Sequence, residues 1–395
     1  MRSDRGPLGA LAGVPGVTGA LARTAAAALG QVAGLVLLAA GLAHAVARAA
    51  GQDDGTLAGP LLVASAGVVL RAVAGWAGEL MAARDARRAE EQLRTALVAR
   101  LAARGERIVA LDRDIAGMDR IAGVRGVAGD LADPATRHAA LSDGCAAVVH
   151  LATVPGGAAE ADPAASRRVN IDAMYDFMIE AAAVASAAPR FVYASSIAVF
   201  GDPLPASGVD DQTPLAPRLI YGGHKAMMET AVCMMTQRGD IDGVTLRLPG
   251  ILARPAGAAG MKSAFMSDVF HALRSGREFV CPVSPEATIW AESIGCITDN
   301  LDHALNVGGD MLPLGRAVTL PALRIAMVDL IEEIARQCDV STQLVRYAPD
   351  AALEAAFGAH PPLSTPAAER AGFRSDGTVA ALVADALARL APRAI

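Results

Sequence analysis

Lysine is almost absent from this chain. Lys225 and Lys262 are the only two among 35 lysine and arginine residues, and tyrosine occurs four times in 395. Any regular pairing of two such scarce residues is therefore informative. No stretch interleaves clustered basic residues with aromatics, and the formal charge is −6, which argues against a nucleic-acid partner. The five cysteines, at 145, 233, 281, 296 and 338, form no C-x-x-C and join no histidine at ligand spacing. Neither a metal site nor a disulfide framework is expected, and buried thiols of a reduced cytoplasmic protein account for them. Apolar residues are plentiful at 53%, ample for a large core in a chain longer than one ordinary domain.

The scarce pair does occur at a regular spacing. Tyr221-Gly-Gly-His-Lys225 sets a phenol and an ammonium four residues apart where an apolar helix begins, on one helix face. A neighbouring ammonium favours the phenolate, so such a pair can act as a general base toward an alcohol. Upstream, Phe191-Val-Tyr-Ala-Ser-Ser-Ile-Ala-Val-Phe-Gly201 reads as a strand ending in a polar turn. In parallel α/β sheets ligands sit beyond the carboxyl ends of strands, which points a hydroxyl there into a site. The set Ser196, Tyr221 and Lys225 resembles the catalytic triad of the extended short-chain dehydrogenase/reductases, the NAD-dependent epimerase/dehydratase family.

Composition changes abruptly along the chain. Thr24 to Ala47 carries no charged residue, and a second apolar run from Thr56 to Gly78 is broken at Arg71. With arginines flanking both ends, residues 24–78 read as a transmembrane hairpin whose termini face the cytoplasm, anchoring the protein to the membrane. This stretch resembles the first helices of bacterial ABC exporters that support cytochrome bd assembly; a soluble Ala-rich hairpin is the other reading. Gly13-Val-Pro-Gly-Val-Thr-Gly19 has the spacing of a phosphate loop without a convincing strand before it.

From Glu90 to Arg104 the chain reads as a charged helix capped by Gly105, followed by a strand, Arg107 to Asp112, ending in a carboxylate. A carboxylate there accepts bonds from an adenosine ribose and repels a 2′-phosphate, so Asp112 points to NAD. The resemblance implies further cofactor contacts at Asp130 and Leu131, at Leu151 and Ala152, at Asn170, which orders the active-site helix, and at Pro249 beside the nicotinamide. Sugar-acid dehydrogenases of the D-erythronate type are similar in Gly157 to Asp162, Ala198 to Pro205, Arg247-Leu-Pro249 and Cys281-Pro-Val. The resemblance implies Ser196, Arg254 and Trp290 as substrate-binding residues, with Arg254 clamping a carboxylate.

One piece is missing. In the resembled family a first strand and glycine loop immediately precede the helix that ends at Gly105, yet the loop positions carry Arg88, Glu91 and Arg94. Without that strand, the strands at 107–112 and 147–151 lose their shared neighbour, and the diphosphate loses its helix-N-terminal amides. Leu61 to Ala64 or Leu8 to Ala12 is expected to substitute, unless the cofactor half is crippled.

The expected protein is α/β: a doubly wound, Rossmann-like parallel sheet over 89–250 and a small C-terminal substrate subdomain over 251–395, behind a hydrophobic helical segment over 1–88. Its expected activity is NAD-dependent oxidation of a small sugar acid at C2, in a form compatible with a homodimer. A nucleotide-sugar epimerase or dehydratase and a silent membrane-associated remnant are the rival readings.

Overall fold

The computed structural model describes residues 32–33, 35–48, 56, 58–118, 121–201, 203–254 and 263–390, with the backbone alone at 71 and 74–91. They divide into two compact units, one of the described residues up to Arg87 with 263–264, the other of the described residues in Arg88–Ala256 and Phe265–Ala391.

In the first unit, helix α1 (35–48) meets helix α2 (Ala58–Ala102) at Gly41, where an added Cβ would lie 2.7 Å from the Pro60 carbonyl oxygen. The transmembrane hairpin expected over 24–78 is not supported. Among the described residues no helix is long and apolar enough to cross a membrane. The second run passes through Arg71 into charged sequence within one helix. The exporter likeness and the membrane anchor find no support either. Thr24 to Gln31 and the glycine motif at 13–19 lie outside the described residues.

The second unit holds the α/β fold. Strand β1 (Ile108–Asp112) pairs in parallel with β2 (Val124–Ala128), and helix α3 (Pro134–Leu141) follows, N-capped by the Asp133 carboxylate. A separate four-stranded parallel sheet runs in the order β3 (Ala147–His150), β4 (Arg190–Ser196), β5 (Asp242–Leu248), β9 (Ala317–Thr319). β4 is buried on both faces, as an inner parallel strand must be. Phe191 and Tyr193 pack with Phe177 and Met178 of helix α6 (Met174–Val184) and with Met228 and Val232 of helix α7 (Ile220–Arg238). On the other face Val192, Val244 and Leu246 meet Leu93 and Leu97 of α2 and Ile297 and Leu301 of helix α9 (Ile294–Ala304).

Between β5 and β9 the chain leaves to build a second core. β6 (Gly250–Leu252), helix α8 (Phe265–Arg274), β7 (Phe279–Cys281) and β8 (Thr288–Ser293) belong to it, with β8 lying between β6 and β10 (Leu323–Ala326).

Among the described residues no strand joins the two sheets. Leu61 to Ala64, one expected substitute, is helical, and Leu8 to Ala12 lies outside the described residues. The end of α2 nonetheless sits where a dinucleotide fold needs a helix. Leu93 and Leu97 cover the four-stranded sheet, Val98 covers β1 through Ala110 and Met118, and Arg100 and Arg104 bind the buried Asp302 of α9. Gly105, at φ +81°, turns the chain into β1.

Candidate active site

Ser196 is the last residue of β4, and its Oγ accepts the Ala198 N–H at 3.2 Å, capping a 3₁₀ turn over Ile197–Phe200. α7 opens beside that turn. Its first N–H, from Ile220, donates to the Glu160 carboxylate at 2.6 Å, a negative charge at the helix end that favours one. Gly222 lets α7 approach: a Cβ there would overlap the Ala198 carbonyl. Ser196, Tyr221 and Lys225 are thus carried by neighbouring elements at the carboxyl edge of the sheet. Lys225 is buried, its Nζ donating to the Ala194 carbonyl at 2.6 Å and standing 4.8 Å from the Tyr193 ring centroid and 5.5 Å from that of Tyr221.

Behind this edge lies a row of buried polar groups. Glu229 follows Lys225 by one helical turn; it accepts Ser195 Oγ at 2.6 Å and a forked pair of bonds from Arg247 at 2.8–3.1 Å. The Arg247 guanidinium stacks 5.1 Å from the Phe200 ring centroid. The network ties α7, β4 and β5 together directly beneath Ser196. His150, ending β3, packs against Phe191 and Tyr193, and burial, aided by Lys225, pushes its imidazole down to about 3, so it is neutral. Burial raises the Tyr193 phenol well above its usual range and keeps it protonated.

Asn170 sits in a π-helical turn, Arg168–Ala173, a distortion often found at functional sites. Its Oδ1 accepts Val154 N–H at 2.6 Å and Thr153 Oγ1 at 3.2 Å, while Nδ2 donates to Val154 O at 3.0 Å and to Ser166 Oγ at 3.1 Å. Ser166 also bonds His224 Nδ1 at 3.0 Å, and burial pushes the His224 imidazole down despite the Asp172 and Glu160 carboxylates. Asn170 therefore joins the loop after β3, where Leu151 and Ala152 lie, to the first turn of α7.

The remaining sequence candidates fall as follows. Pro249 is buried between β5 and β6. Arg254 follows β6; its backbone N–H donates to Ser267 Oγ at 3.0 Å and its carbonyl accepts His271 Nε2 at 2.7 Å. Trp290 is 1% exposed, with its indole N–H on the Pro361 carbonyl at 2.8 Å and its ring against Val199 and Phe200. In this packing it supports the turn behind Ser196. Leu131 is a core residue, and Asp130 caps its own turn through Ala132 N–H at 2.9 Å. Asp112 is engaged by Arg94, whose Nη1 bonds its Oδ2 and, at 2.9 Å, the Asp114 carbonyl.

Sequence reasoning missed Glu160, Ser166, His224, Glu229 and Arg247 as site residues. Glu229 had a usable signal, since it continues the four-residue spacing of Tyr221 and Lys225.

Residues 93–290 match the NAD dependent epimerase/dehydratase family. The chain belongs to that family. It is 36% identical over 259 residues to D-erythronate dehydrogenase from Cupriavidus necator, covering 65% of this chain and 79% of that protein. A protein of the same name from Haemophilus influenzae is 30% identical over 188 residues, 48% of this chain and 59% of that one. Among solved structures, the nucleoside-diphosphate-sugar epimerase from Agrobacterium tumefaciens superposes with a TM-score of 0.66 at 25% identity, over 75% of this chain and 90% of that one. The holo GalE-like L-threonine dehydrogenase from Cupriavidus necator shares the fold, with a TM-score of 0.64 at 19% identity over 75% and 96% of the two chains. The protein is accordingly an NAD-dependent dehydrogenase of the extended short-chain type.

The residues fit this cofactor unevenly. Tyr221 and Lys225 on α7, Pro249 after β5 and the end of β3 lie on elements of the four-stranded sheet and its flanking helix, and Lys225 offers a buried ammonium suited to a nicotinamide ribose. On the adenosine side the helix that should begin at a glycine loop runs unbroken from Ala58.

Proposed function

We propose that this chain oxidises the C2 hydroxyl of a small sugar acid, of the D-erythronate kind, with the electrons leaving to NAD. The observation that carries the reading is the placement of Ser196 beside the first turn of α7, which bears Tyr221 and Lys225. The 36% identity to a D-erythronate dehydrogenase supports the choice of substrate.

In this mechanism Ser196 Oγ, already an acceptor for Ala198 N–H, donates its own proton to the reacting oxygen and orients it. Tyr221 takes the hydroxyl proton as the C2–H bond breaks, leaving a carbonyl at C2. Lys225, a buried ammonium whose position is fixed by the Ala194 carbonyl, favours the phenolate form in which Tyr221 accepts that proton. Bound at this edge, NAD supplies the hydride acceptor. Arg254, beyond the carboxyl end of β5, holds the substrate carboxylate through the two parallel bonds a guanidinium can make.

The likeness to a nucleoside-diphosphate-sugar epimerase favours one second reading, inversion of a sugar carbon on a nucleotide sugar. Following NADH formation with a panel of four-carbon sugar acids and UDP-sugars separates the two. Turnover with the sugar acids is expected; activity confined to the UDP-sugars would overturn the proposal.

A further inference from the structure

The two halves of a dinucleotide are not provided for alike in this chain. An adenosine diphosphate is ordinarily held by three devices in this fold: a central strand leading into a glycine turn, the free amides of the helix that follows, and a carboxylate ending the next strand. Among the described residues the first two are absent, and the third is engaged by an arginine. No described strand lies between β1 and β3. α2 continues upstream of residue 92 as far as Ala58, so the amides near residues 88–94 are bonded within the helix rather than free at its end. Arg94 stands at the position of the last loop glycine, and its guanidinium donates to Asp112, the carboxylate that would otherwise receive a ribose diol. Asp112 Oδ1 also accepts the Asp114 N–H, at 3.1 Å. Arg94 is itself largely buried, its side chain 14% exposed. An ion pair between a guanidinium and a carboxylate is a stronger partner for Asp112 than a neutral diol.

The nicotinamide side shows the opposite. Lys225 is held by Ala194, Asn170 by Val154 and Ser166, and the start of α7 by Glu160.

We infer that this chain binds its cofactor through the nicotinamide mononucleotide half alone, and that the adenosine half adds no affinity. The inference rests on the proposed role of Tyr221 and Lys225 for its nicotinamide side, and on Arg94 and Asp112 for the rest. Nicotinamide mononucleotide is then a ligand of this protein in its own right, bound nearly as well as NAD.

The test is calorimetry on the full-length chain with NAD, nicotinamide mononucleotide and ADP-ribose, together with saturation-transfer NMR on bound NAD. The expected dissociation constants for NAD and the mononucleotide agree within about threefold, ADP-ribose shows no binding, and saturation reaches the nicotinamide protons but not the adenine protons. If ADP-ribose displaces NAD, or NAD binds more than about tenfold tighter than the mononucleotide, the inference is overturned while the oxidation reading stands. If neither NAD nor the mononucleotide binds, both fall together.

Discussion

Gly222 and Ala198 touch across the site: the third residue of α7 lies so close to the carbonyl of the turn after Ser196 that a Cβ on it would overlap the oxygen. The contact sets how closely α7, which carries Tyr221, packs on the turn after Ser196. Gly222→Ala is expected to lower kcat by tenfold or more, since small misplacements of catalytic groups cost rates of about that order or more. Gly223, with open space around it, is the control. Gly223→Ala should keep full turnover and raise stability by roughly 0.5–1 kcal/mol through helix propensity. Equal losses in the two variants would refute the role given to the contact.

Tyr221→Phe removes the proposed base while preserving the ring over which Lys225 sits. Turnover should fall by about 10²- to 10⁴-fold, with binding of nicotinamide mononucleotide retained. Unchanged turnover would remove Tyr221 from the mechanism.

Glu229 and Arg247 form a buried pair with side chains 4% and 13% exposed. Glu229→Ala leaves the guanidinium without its carboxylate and should cost roughly 3–5 kcal/mol in urea unfolding. The double variant Glu229→Ala/Arg247→Ala should cost less than the sum of the two singles, because the pair acts as a unit. Strict additivity would show that the two residues contribute independently.

Two buried histidines set an acid limit on stability. His150 is pushed down to about 3 and His360 to about 4, mainly by burial, against about 6.5 in an unfolded chain. Both folded values lie below the unfolded one, so the stabilising difference is complete above pH 6.5 and is lost as the pH falls toward 4 and then 3. Each histidine adds up to about 1.4 kcal/mol per pH unit to that slope. Unfolding free energy measured from pH 7 to 4.5 should decline, and His150→Phe should flatten the decline by about one proton. A slope identical to that of the unsubstituted chain would contradict the neutral, buried imidazole.

Arg254→Lys keeps the charge but loses the fork. KM for a sugar acid should rise severalfold with a smaller change in kcat, because Lys cannot reproduce two parallel bonds to one carboxylate. A fall confined to kcat would place Arg254 elsewhere in the mechanism.

Much of the site could be read before the fold was known, because its signals are local. Tyr221 and Lys225 share a face by spacing alone, and Ser196 ends a run whose β-branched and aromatic residues leave little doubt about a strand. Glu160 and Arg247 were not legible: what makes them matter is contact with Ile220 and Glu229, 60 and 18 residues away in sequence. Nor could the sequence reveal that Arg94, an obstacle by its bulk, also ties up Asp112. The hairpin over 24–78 finds no support for a different reason. Uncharged, Ala-rich sequence suits a bilayer and a helix equally, and hydropathy does not register that the second run continues as one helix into Glu90 and beyond.

The amide of Asn170 can be inserted only one way round. Its oxygen faces the Val154 N–H and its nitrogen faces the Val154 carbonyl, so turning it over would set like against like at both contacts. An aspartate of nearly the same shape would still receive the N–H but would confront the Val154 carbonyl and the Ser166 hydroxyl with a second acceptor. The loop beyond β3 is therefore keyed to the π-turn by polarity as much as by shape. A near-isosteric change of one nitrogen to oxygen would push the loop away from the first turn of α7 without removing a single heavy atom.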